Sequence, residues 1–360
     1  MAYVIDGNLY FQDGNNSPVQ LTNSGEDWRI LFFSEDGEKL FFLRGITPFS
    51  LYSINVDGSH EKALVSNNIL QTLGTEYNEA TMICHINLVP NTHVLLFKTC
   101  FYPEPDNYNV LGGNNELLAV DGDTGDVNKL LPPGQVSDYY ISPDGRLLAI
   151  HAKGHVDIFD INGKIIRRNL LTYTPSEPVY LPPGIHWIQD SNGLIVVLPL
   201  PTFFDTSGGA PHYTVWRYAL DGSPGIQVPL VPIPKDLVSV SPDGNWVAYR
   251  DDQGALYLGD LRDGSAQLYE SRPGFSLFEW SLDSRYFVYG GGSLYLISIN
   301  ASPLFVDKGD FIGWLDANRY LYISDKTIVM GNVDGEKKAI LNAAYEVYRE
   351  STFFTFVFLN

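Results

Sequence analysis

The stretch Ser142-Pro143-Asp144-Gly145 is a tight turn directly before the apolar run Leu147-Leu148-Ala149-Ile150. Related turns occupy residues 34–37, 241–244 and 281–284, each again before a short apolar run. A second series follows about twenty residues behind, at Asp57-Gly58, Asn162-Gly163, Asp221-Gly222, Asp263-Gly264 and Asp334-Gly335. Two interleaved series of turns between short strands are typical of a four-stranded β-unit repeated around a ring. The sequence therefore predicts an all-β propeller.

The clearest unit covers residues 235–271. Its inner strand a is 237–240, strand b is 246–249, strand c is 255–261 and the outer strand d is 266–269. The composition agrees, because 33 glycines and 22 prolines supply turns, while 22 tyrosines and 20 phenylalanines favour strands. No window keeps helical spacing of apolar residues for three turns; the nearest is 339–348. The same strand order fits six further units, at 26–66, 75–132, 134–173, 177–232, 273–307 and 309–342.

The two ends of the chain form one more blade. Residues 2–22 have the pattern of strands b, c and d without a strand a, and 353–359 is one apolar strand with nothing after it. An unpartnered strand would leave a row of backbone groups without hydrogen bonds, whereas pairing the two ends closes the ring. We therefore expect a single domain over 1–360, an eight-bladed propeller of four-stranded antiparallel blades closed by both termini; seven blades are the alternative.

These turns resemble the WD40-like repeats of TolB-type propellers, and also the propeller lids of prolyl-oligopeptidase-type proteases. The resemblance rests on the Ser-Pro-Asp-Gly turns followed by Leu-Leu-Ala or Val-Ala-Tyr and then by an Asp-Gly turn. It implies a bacterial protein in a periplasmic or extracellular location. The motif residues are turn formers, so the resemblance implies a fold more than a function. The Gly-x-Ser-x-Gly elbow of an oligopeptidase catalytic domain is absent from the sequence.

Charge limits the classes of partner. The formal net charge is −19, from 42 acidic and 23 basic residues, whereas nucleic acids and anionic membranes require a positive surface. The acidic balance is compatible with a cationic partner or simply with solubility. We find no apolar run long enough to span a membrane and no signal-peptide pattern. We expect a monomer that contacts neither nucleic acid nor the membrane interior.

Two cysteines, Cys84 and Cys100, flank the turn at Pro90-Asn91-Thr92 almost symmetrically. Two strands of one hairpin would bring them within reach of a disulfide. A β-bulge would shift the register and leave a buried pair of thiols instead. The sequence leaves both alternatives open.

The long irregular segments are the b–c loops at 99–114 and 201–213, which belong on one face of the ring. Loops on a rigid scaffold commonly carry function, and aromatic side chains among small polar residues make recognition surfaces. The alternative is that these rings pack onto the base of their own loops. We predict a binding surface for a protein or peptide from Phe101, Tyr102, Tyr108, Phe203, Phe204, His212 and Tyr213.

Other polar groups have weaker patterns, and we assign no catalytic residue, metal ligand or cofactor. His151 and His155 bracket a hairpin without an evident third ligand, so an exposed pair is expected. The run 121–126 resembles the start of a calcium loop, but it lies where other units have a c–d turn. Four carboxylates lie near the starts of strands a: Glu79, Asp138, Asp236 and Asp310. We therefore expect a non-catalytic binding or scaffold propeller; the alternative is a carbohydrate-active hydrolase or lyase at the channel mouth.

Overall fold

The computed structural model is an eight-bladed β-propeller. Backbone is described for residues 2–14, 16–46, 48–73, 81–101, 112–152, 154–175, 182–200, 212–271, 276–325 and 327–341; side chains at 30, 236–238, 276–278 and 341 are excluded. Seven blades have strands a to d in chain order, one of them with an additional two-residue strand, and all pairings between described strands are antiparallel. The prediction of eight blades is confirmed, and the seven-bladed alternative is wrong.

The first four blades consist of short strands joined by tight turns or loops. Blade 1 contains β1 (Ala2–Ile5), β2 (Asn8–Phe11) and β3 (Val19–Gln20). Blade 2 contains β4 (Asp27–Phe33), β5 (Lys39–Arg44), β6 (Ser50–Asn55) and β7 (Lys62–Val65), followed by the short helix α1 (Asn67–Leu73). Blade 3 contains β8 (Met82–Leu88), β9 (Val94–Phe101), β10 (Gly112–Gly113), β11 (Leu117–Asp121) and β12 (Val127–Leu131). Blade 4 contains β13 (Asp138–Ile141), β14 (Leu147–Ala152), β15 (His155–Asp160) and β16 (Ile165–Thr172).

The remaining blades repeat this order. Blade 5 contains β17 (Gly184–Trp187), β18 (Gly193–Pro199), β19 (Tyr213–Ala219) and β20 (Ile226–Val228). Blade 6 contains β21 (Asp236–Val240), β22 (Trp246–Arg250), β23 (Leu256–Asp260) and β24 (Ala266–Glu270). Blade 7 contains β25 (Ser276–Trp280), β26 (Tyr286–Gly290), β27 (Leu294–Ser298) and β28 (Leu304–Asp307). Blade 8 contains β29 (Asp310–Trp314), β30 (Arg319–Ser324), β31 (Thr327–Asn332) and β32 (Lys337–Leu341).

The repeated Ser-x-Asp-Gly turn has a common hydrogen-bond pattern. In blade 4 the Ser142 hydroxyl donates to Asp144 Oδ1 at 2.7 Å and accepts from the N–H of Leu147 at 2.9 Å. Gly145 has a φ of 71°, in the region that glycine tolerates best. The same pair of bonds recurs at Ser34, Ser241 and Ser281, and all four serines are buried. This turn chemistry is why the sequence motif marks the blades.

The apolar core lies between successive blades. Leu96 and Leu117 of blade 3, for example, form one buried cluster with Tyr139, Leu148 and Phe159 of blade 4. Such clusters join each pair of neighbours from blade 1 to blade 8. The inner strands thereby line a central channel, and the rigid ring positions the loops at its two ends.

Closure of the ring by the two chain ends stays a prediction. Blade 1 has three strands among the described residues, where the sequence predicts strands b, c and d. The expected closing strand, 353–359, and most of the window 339–348 lie outside them. No helix in the described part of the chain is long and apolar enough to cross a membrane.

Candidate functional site

The two faces of the ring differ in their connections. Because the strands are antiparallel, all a–b and c–d turns lie on one face, here called the turn face, and all b–c and d–a connections lie on the other, here called the loop face. Both long insertions predicted from the sequence are b–c connections, after β9 and before β19. The expected placement of these loops on one face is therefore confirmed.

The predicted aromatic surface is described only at the bases of these loops. Tyr102, Tyr108, Phe203 and Phe204 lie outside the described residues. Phe101 ends β9 and pairs with Gly112. Its ring covers Gly112 so closely that a Cβ there would lie 2.7 Å from a ring atom. This end of the loop therefore packs on itself at Phe101, and the predicted aromatic surface stays a prediction.

His212 and Tyr213 lie two blades away from Phe101, at the start of β19. His212 Nε2 is 3.1 Å from Asp252 Oδ1, and Lys235 Nζ contacts the same oxygen at 3.1 Å. These interactions lower the pKa of Asp252, the bond from Lys235 contributing most. Tyr213 donates its N–H to the carbonyl of Pro234 at 2.8 Å, and its ring packs against the core between blades 5 and 6. Both residues thus connect blade 5 to blade 6.

A polar cluster lies at the channel mouth on the loop face, between blades 3 and 4. Asp138 begins β13, and its Oδ1 accepts hydrogen bonds from His85 Nδ1 at 3.0 Å and from the N–H of Tyr139 at 2.9 Å. Burial alone would raise the pKa of Asp138, but His85, Tyr139 N–H and the charge of Lys98 hold it below the ordinary value. Lys98 donates to the carbonyl of Ser137, and burial lowers its pKa. Asp138 is therefore a carboxylate at neutral pH.

Two tyrosines and His151 extend this cluster. The Tyr140 hydroxyl donates to Asp138 Oδ2 at 3.3 Å, and His151 Nε2 lies 2.5 Å from the Tyr173 hydroxyl. Burial lowers the pKa of His151 to about 4, so its imidazole is neutral at pH 7. The expectation of an exposed His151–His155 pair is wrong for His151, which is 1% exposed; His155 is partly exposed and lies 3.8 Å from Asp157.

The other predicted polar sites do not join this cluster. Asp310 begins β29 and is exposed, Asp236 begins β21 without a described side chain, and Glu79 lies outside the described residues. The run 121–126 is a c–d turn in which Asp121 Oδ1 accepts from the N–H groups of Asp123 and Thr124. Among described residues, no group of three or more His, Cys, Asp or Glu has an arrangement that could hold a metal.

A disulfide bond joins the inner two strands of blade 3 beside this mouth. Cys84 and Cys100 are bonded, with a Cα–Cα distance of 5.8 Å. Cys84 lies in a bulge between the pairs Ile83–Thr99 and His85–Lys98. The β-bulge that could have kept the two thiols apart is present, but the disulfide forms despite it. The disulfide therefore fixes the strand segments that carry His85 and Lys98.

The mouth cluster combines a carboxylate with several proton donors and acceptors. His85 and Asp138 remain 39% and 31% exposed at their side chains, so a ligand can reach them. Sequence reasoning identified Asp138 and His151 but missed His85, Lys98 and Tyr173. Strand register could have identified His85 and Lys98, because they pair between strands a and b of blade 3. Asp138 pairs with His151 between the same strands of blade 4. Linking the two pairs required knowing that these blades are neighbours.

No protein-family model matches the sequence, and no curated protein matches it. Solved structures do match. Dipeptidyl peptidase 4 from Porphyromonas gingivalis aligns with a TM-score of 0.59 and 14% identity, over 87% of this chain and 52% of that chain. A eukaryotic initiation factor aligns with a TM-score of 0.55 and 13% identity, over 94% and 83% of the two chains. An oligogalacturonate lyase from Vibrio parahaemolyticus aligns with a TM-score of 0.50 and 12% identity, over 83% and 82%.

These similarities establish the fold alone. The chain spans about half the length of the peptidase. A TolB structure from Acinetobacter baumannii also aligns, but its TM-score of 0.38 carries no argument. The resemblance to peptidase propellers is thus supported at the level of fold, and TolB-type membership stays a prediction. Since a peptidase, an initiation factor and a lyase share the architecture, function has to be argued from the site.

Proposed function

We propose that this propeller binds a protein or peptide partner on its loop face and acts as a recognition or scaffold module. The observation that carries the proposal is the position of exposed apolar side chains in the described connections. Ile46, Val231 and Ile233 are 86%, 76% and 51% exposed, and all three lie in b–c or d–a connections. On the turn face, Leu282 is the one comparable described residue in a connection, at 56%. An excess of exposed apolar side chains in the connections of one face favours a macromolecular partner on that face.

The mouth cluster supplies polar contacts for the same partner. Asp138 and His85 present a carboxylate and an imidazole at the centre of the face, while Val231 and Ile233 lie further out, beside the His212–Asp252 pair. An apolar surface with a few fixed polar groups is the usual composition of a protein-binding surface. The negative net charge of −19 favours a partner with basic residues.

Selection from a phage-displayed random peptide library tests the proposal. Peptides enriched on the wild-type protein should bind the Val231→Ser/Ile233→Ser variant about tenfold more weakly, because these side chains would lose their buried contacts. Leu282→Ser is the matched control, an equally exposed apolar residue on the turn face, and it should bind like wild type. Equal losses in both variants, or no enriched peptides, would refute a specific loop-face surface; thermal melts check that both variants fold.

A second candidate function is β-elimination from an acidic sugar at the channel mouth. The neutral His151 can accept a proton in such a reaction, and the Lys98 ammonium, whose charge also lowers the pKa of Asp138, can stabilise the negative charge that develops. Hydrolysis is less favoured, since within the described residues Asp138 is the one carboxylate of the mouth cluster and glycosidases use two. Incubation with oligogalacturonate, with and without added divalent cations, should yield an ultraviolet-absorbing unsaturated product that Lys98→Met abolishes. Absence of this product under both conditions excludes this activity.

A further inference from the structure

A cavity of about 530 Å³ opens in the channel, on the side formed by the inner strands of blades 3 to 6. This volume lies within the usual range for small-molecule sites. Its walls are mostly aromatic and aliphatic side chains, among them Trp187, Ile141, Ile185, Val240 and Pro242. His85, at one end, connects the cavity to the mouth cluster. The a–b turn residues Pro90, Ser241 and Pro242 line its other end, so the cavity extends toward the turn face.

Most polar groups of the cavity wall already have partners within the protein. The Tyr139 hydroxyl donates to the carbonyl of Leu96 at 2.6 Å, and Trp187 Nε1 donates to the carbonyl of Tyr140 at 2.9 Å. The Tyr140 hydroxyl and His85 both bond to Asp138. Ser241 is held in its own turn by Asp243 and Trp246. These side chains therefore contribute mainly van der Waals contacts to a ligand, because their hydrogen-bonding groups are already paired.

His186 is different. It lines the cavity from β17, and among described residues neither of its ring nitrogens has a hydrogen-bond partner. Burial lowers its pKa to about 4, so the ring is neutral at pH 7 and offers one N–H donor and one acceptor nitrogen. The His186 side chain is partly exposed, so a ligand in the cavity can reach these nitrogens. A hydroxyl group, which both donates and accepts, is a suitable partner for a neutral imidazole.

The remaining wall excludes other ligand classes. No Asp, Glu, Lys or Arg is among the described residues that line the cavity, so a charged ligand would lose its hydration without compensation. A sugar carries hydroxyl groups around its ring and would need more polar partners than His186 and the Asn87 amide of this wall. A flat ring with a single hydroxyl matches both the apolar walls and His186.

We propose that this cavity is a binding site for a neutral hydroxyphenyl group, with the ring between the apolar walls and its hydroxyl on His186. A free phenolic compound and a tyrosine side chain of a bound peptide share this chemistry. The site does not depend on the apolar loop residues that carry the proposed partner surface, so the two proposals can fail separately.

The experiment titrates two pairs of ligands against the full chain. p-Cresol and toluene represent a free compound, and N-acetyltyrosinamide and N-acetylphenylalaninamide represent a peptide side chain; within each pair only the hydroxyl differs. The hydroxylated member should bind about tenfold more tightly, the usual worth of a hydrogen bond to a neutral group. Binding of p-cresol alone identifies a small molecule as the source, and binding of the tyrosine amide identifies a peptide; either supports the site.

His186→Phe keeps a flat ring but removes both nitrogens. It should weaken the hydroxylated ligands about tenfold and leave their hydroxyl-less counterparts unchanged. His155→Phe, on a hairpin outside the cavity, is the matched control and should bind like wild type. If His186→Phe does not fold, the imidazole ¹⁵N resonances of wild-type His186 must shift with the hydroxylated ligand and not with its counterpart. Equal affinities within each pair, or displacement of the ligand by methyl glucoside, would overturn the proposal.

Val231→Ser/Ile233→Ser separates this site from the partner surface. The variant should bind p-cresol like wild type, even where selected peptides lose affinity. Retained p-cresol binding by a protein that enriches no peptides refutes the proposed function and supports the cavity site. Enriched peptides without binding of any hydroxyphenyl ligand would support the proposed function and refute the cavity site.

Discussion

The turn face and the loop face are built from the same eight sheets, but their connections differ in regularity. On the turn face, four Ser–Asp pairs repeat one geometry, with hydroxyl-to-carboxylate distances of 2.5, 2.7, 2.6 and 2.8 Å. On the loop face, the b–c connection is two residues in blade 4 but eleven or more in blades 3 and 5. The regular face has its polar groups bonded internally, whereas the irregular face exposes apolar side chains and a polar mouth. Changes on the turn face should therefore cost stability, and changes on the loop face should alter binding.

Removal of Thr352 to Asn360 should have the largest effect, because both faces depend on a closed ring. Among described residues, the apolar cluster around Leu321 and Ile328 of blade 8 has no member from another blade, unlike the clusters between the other blades. The sequence predicts that 353–359 completes this closure, so the truncated chain should show no cooperative thermal transition. Adding the synthetic peptide 352–360 should restore it. A truncated chain with an unchanged cooperative melt would contradict closure by this strand.

Turn-face glycines should give the next largest effect. Gly145 and Gly244 have φ values of 71° and 67°, and a Cβ would lie 2.8 Å from the carbonyl oxygen of Pro90 and 3.0 Å from the Ile188 side chain. Gly145→Val and Gly244→Val should each lower the free energy of unfolding by ~1–3 kcal/mol. Gly222→Val is the matched control, since it has the same kind of φ but no atom near its Cβ position. Denaturant titrations in which all three lose the same stability would show that contact between blades adds nothing to the backbone strain.

A pH-dependent effect is expected where His93 joins blades 2 and 3 on the turn face. Its Nε2 lies 3.0 Å from Asp36 and its Nδ1 2.9 Å from Asp123, which also contacts Lys39. Burial alone would lower the pKa of His93, but hydrogen bonds and charges from the two carboxylates raise it above 6.5. The pKa values of Asp36 and Asp123 are lowered, so His93 is the group of this set that titrates near neutrality.

A raised folded-state pKa gives stability that is fully present below the unfolded pKa and lost as pH rises through the folded value. His93→Gln should therefore cost more stability at about pH 5.5 than at about pH 8.5. Urea titrations at both pH values measure this difference. His60→Gln is the control on the same face, because His60 is bonded to the neutral side chains of Asn55 and Ser59. A cost of His93→Gln that is equal at both pH values, or larger at high pH, would exclude an ionic role.

The same comparison explains how far sequence reasoning reached. The turn face is local, because each Ser, Asp and Gly acts within six residues, so the motif predicted the blades, their number and the loop placement. The mouth cluster is non-local: His85 and Asp138 are 53 positions apart in the chain and meet because blades 3 and 4 are adjacent. The disulfide was undecided for a similar reason, since the effect of the bulge at Cys84 depends on strand register. Burial of His151 and His186 likewise depends on which neighbours cover each strand.

The smallest effects on stability are expected for Tyr102→Ala, Tyr108→Ala and Phe204→Ala in the long loops of the loop face. If these side chains contact a partner, the melting temperature should stay within a few degrees of wild type. Affinity for selected peptides should fall by ~2 kcal/mol at one or two positions, since few residues carry most of the binding energy. Tyr213→Ala is the informative contrast, because its ring packs against the core between blades 5 and 6. It should lose ~2 kcal/mol of stability as a cavity forms. Thermal melts beside peptide titrations measure both quantities. If all three loop variants lose as much stability as Tyr213→Ala, the loops pack inward. The loop face would then lack its predicted aromatic contacts.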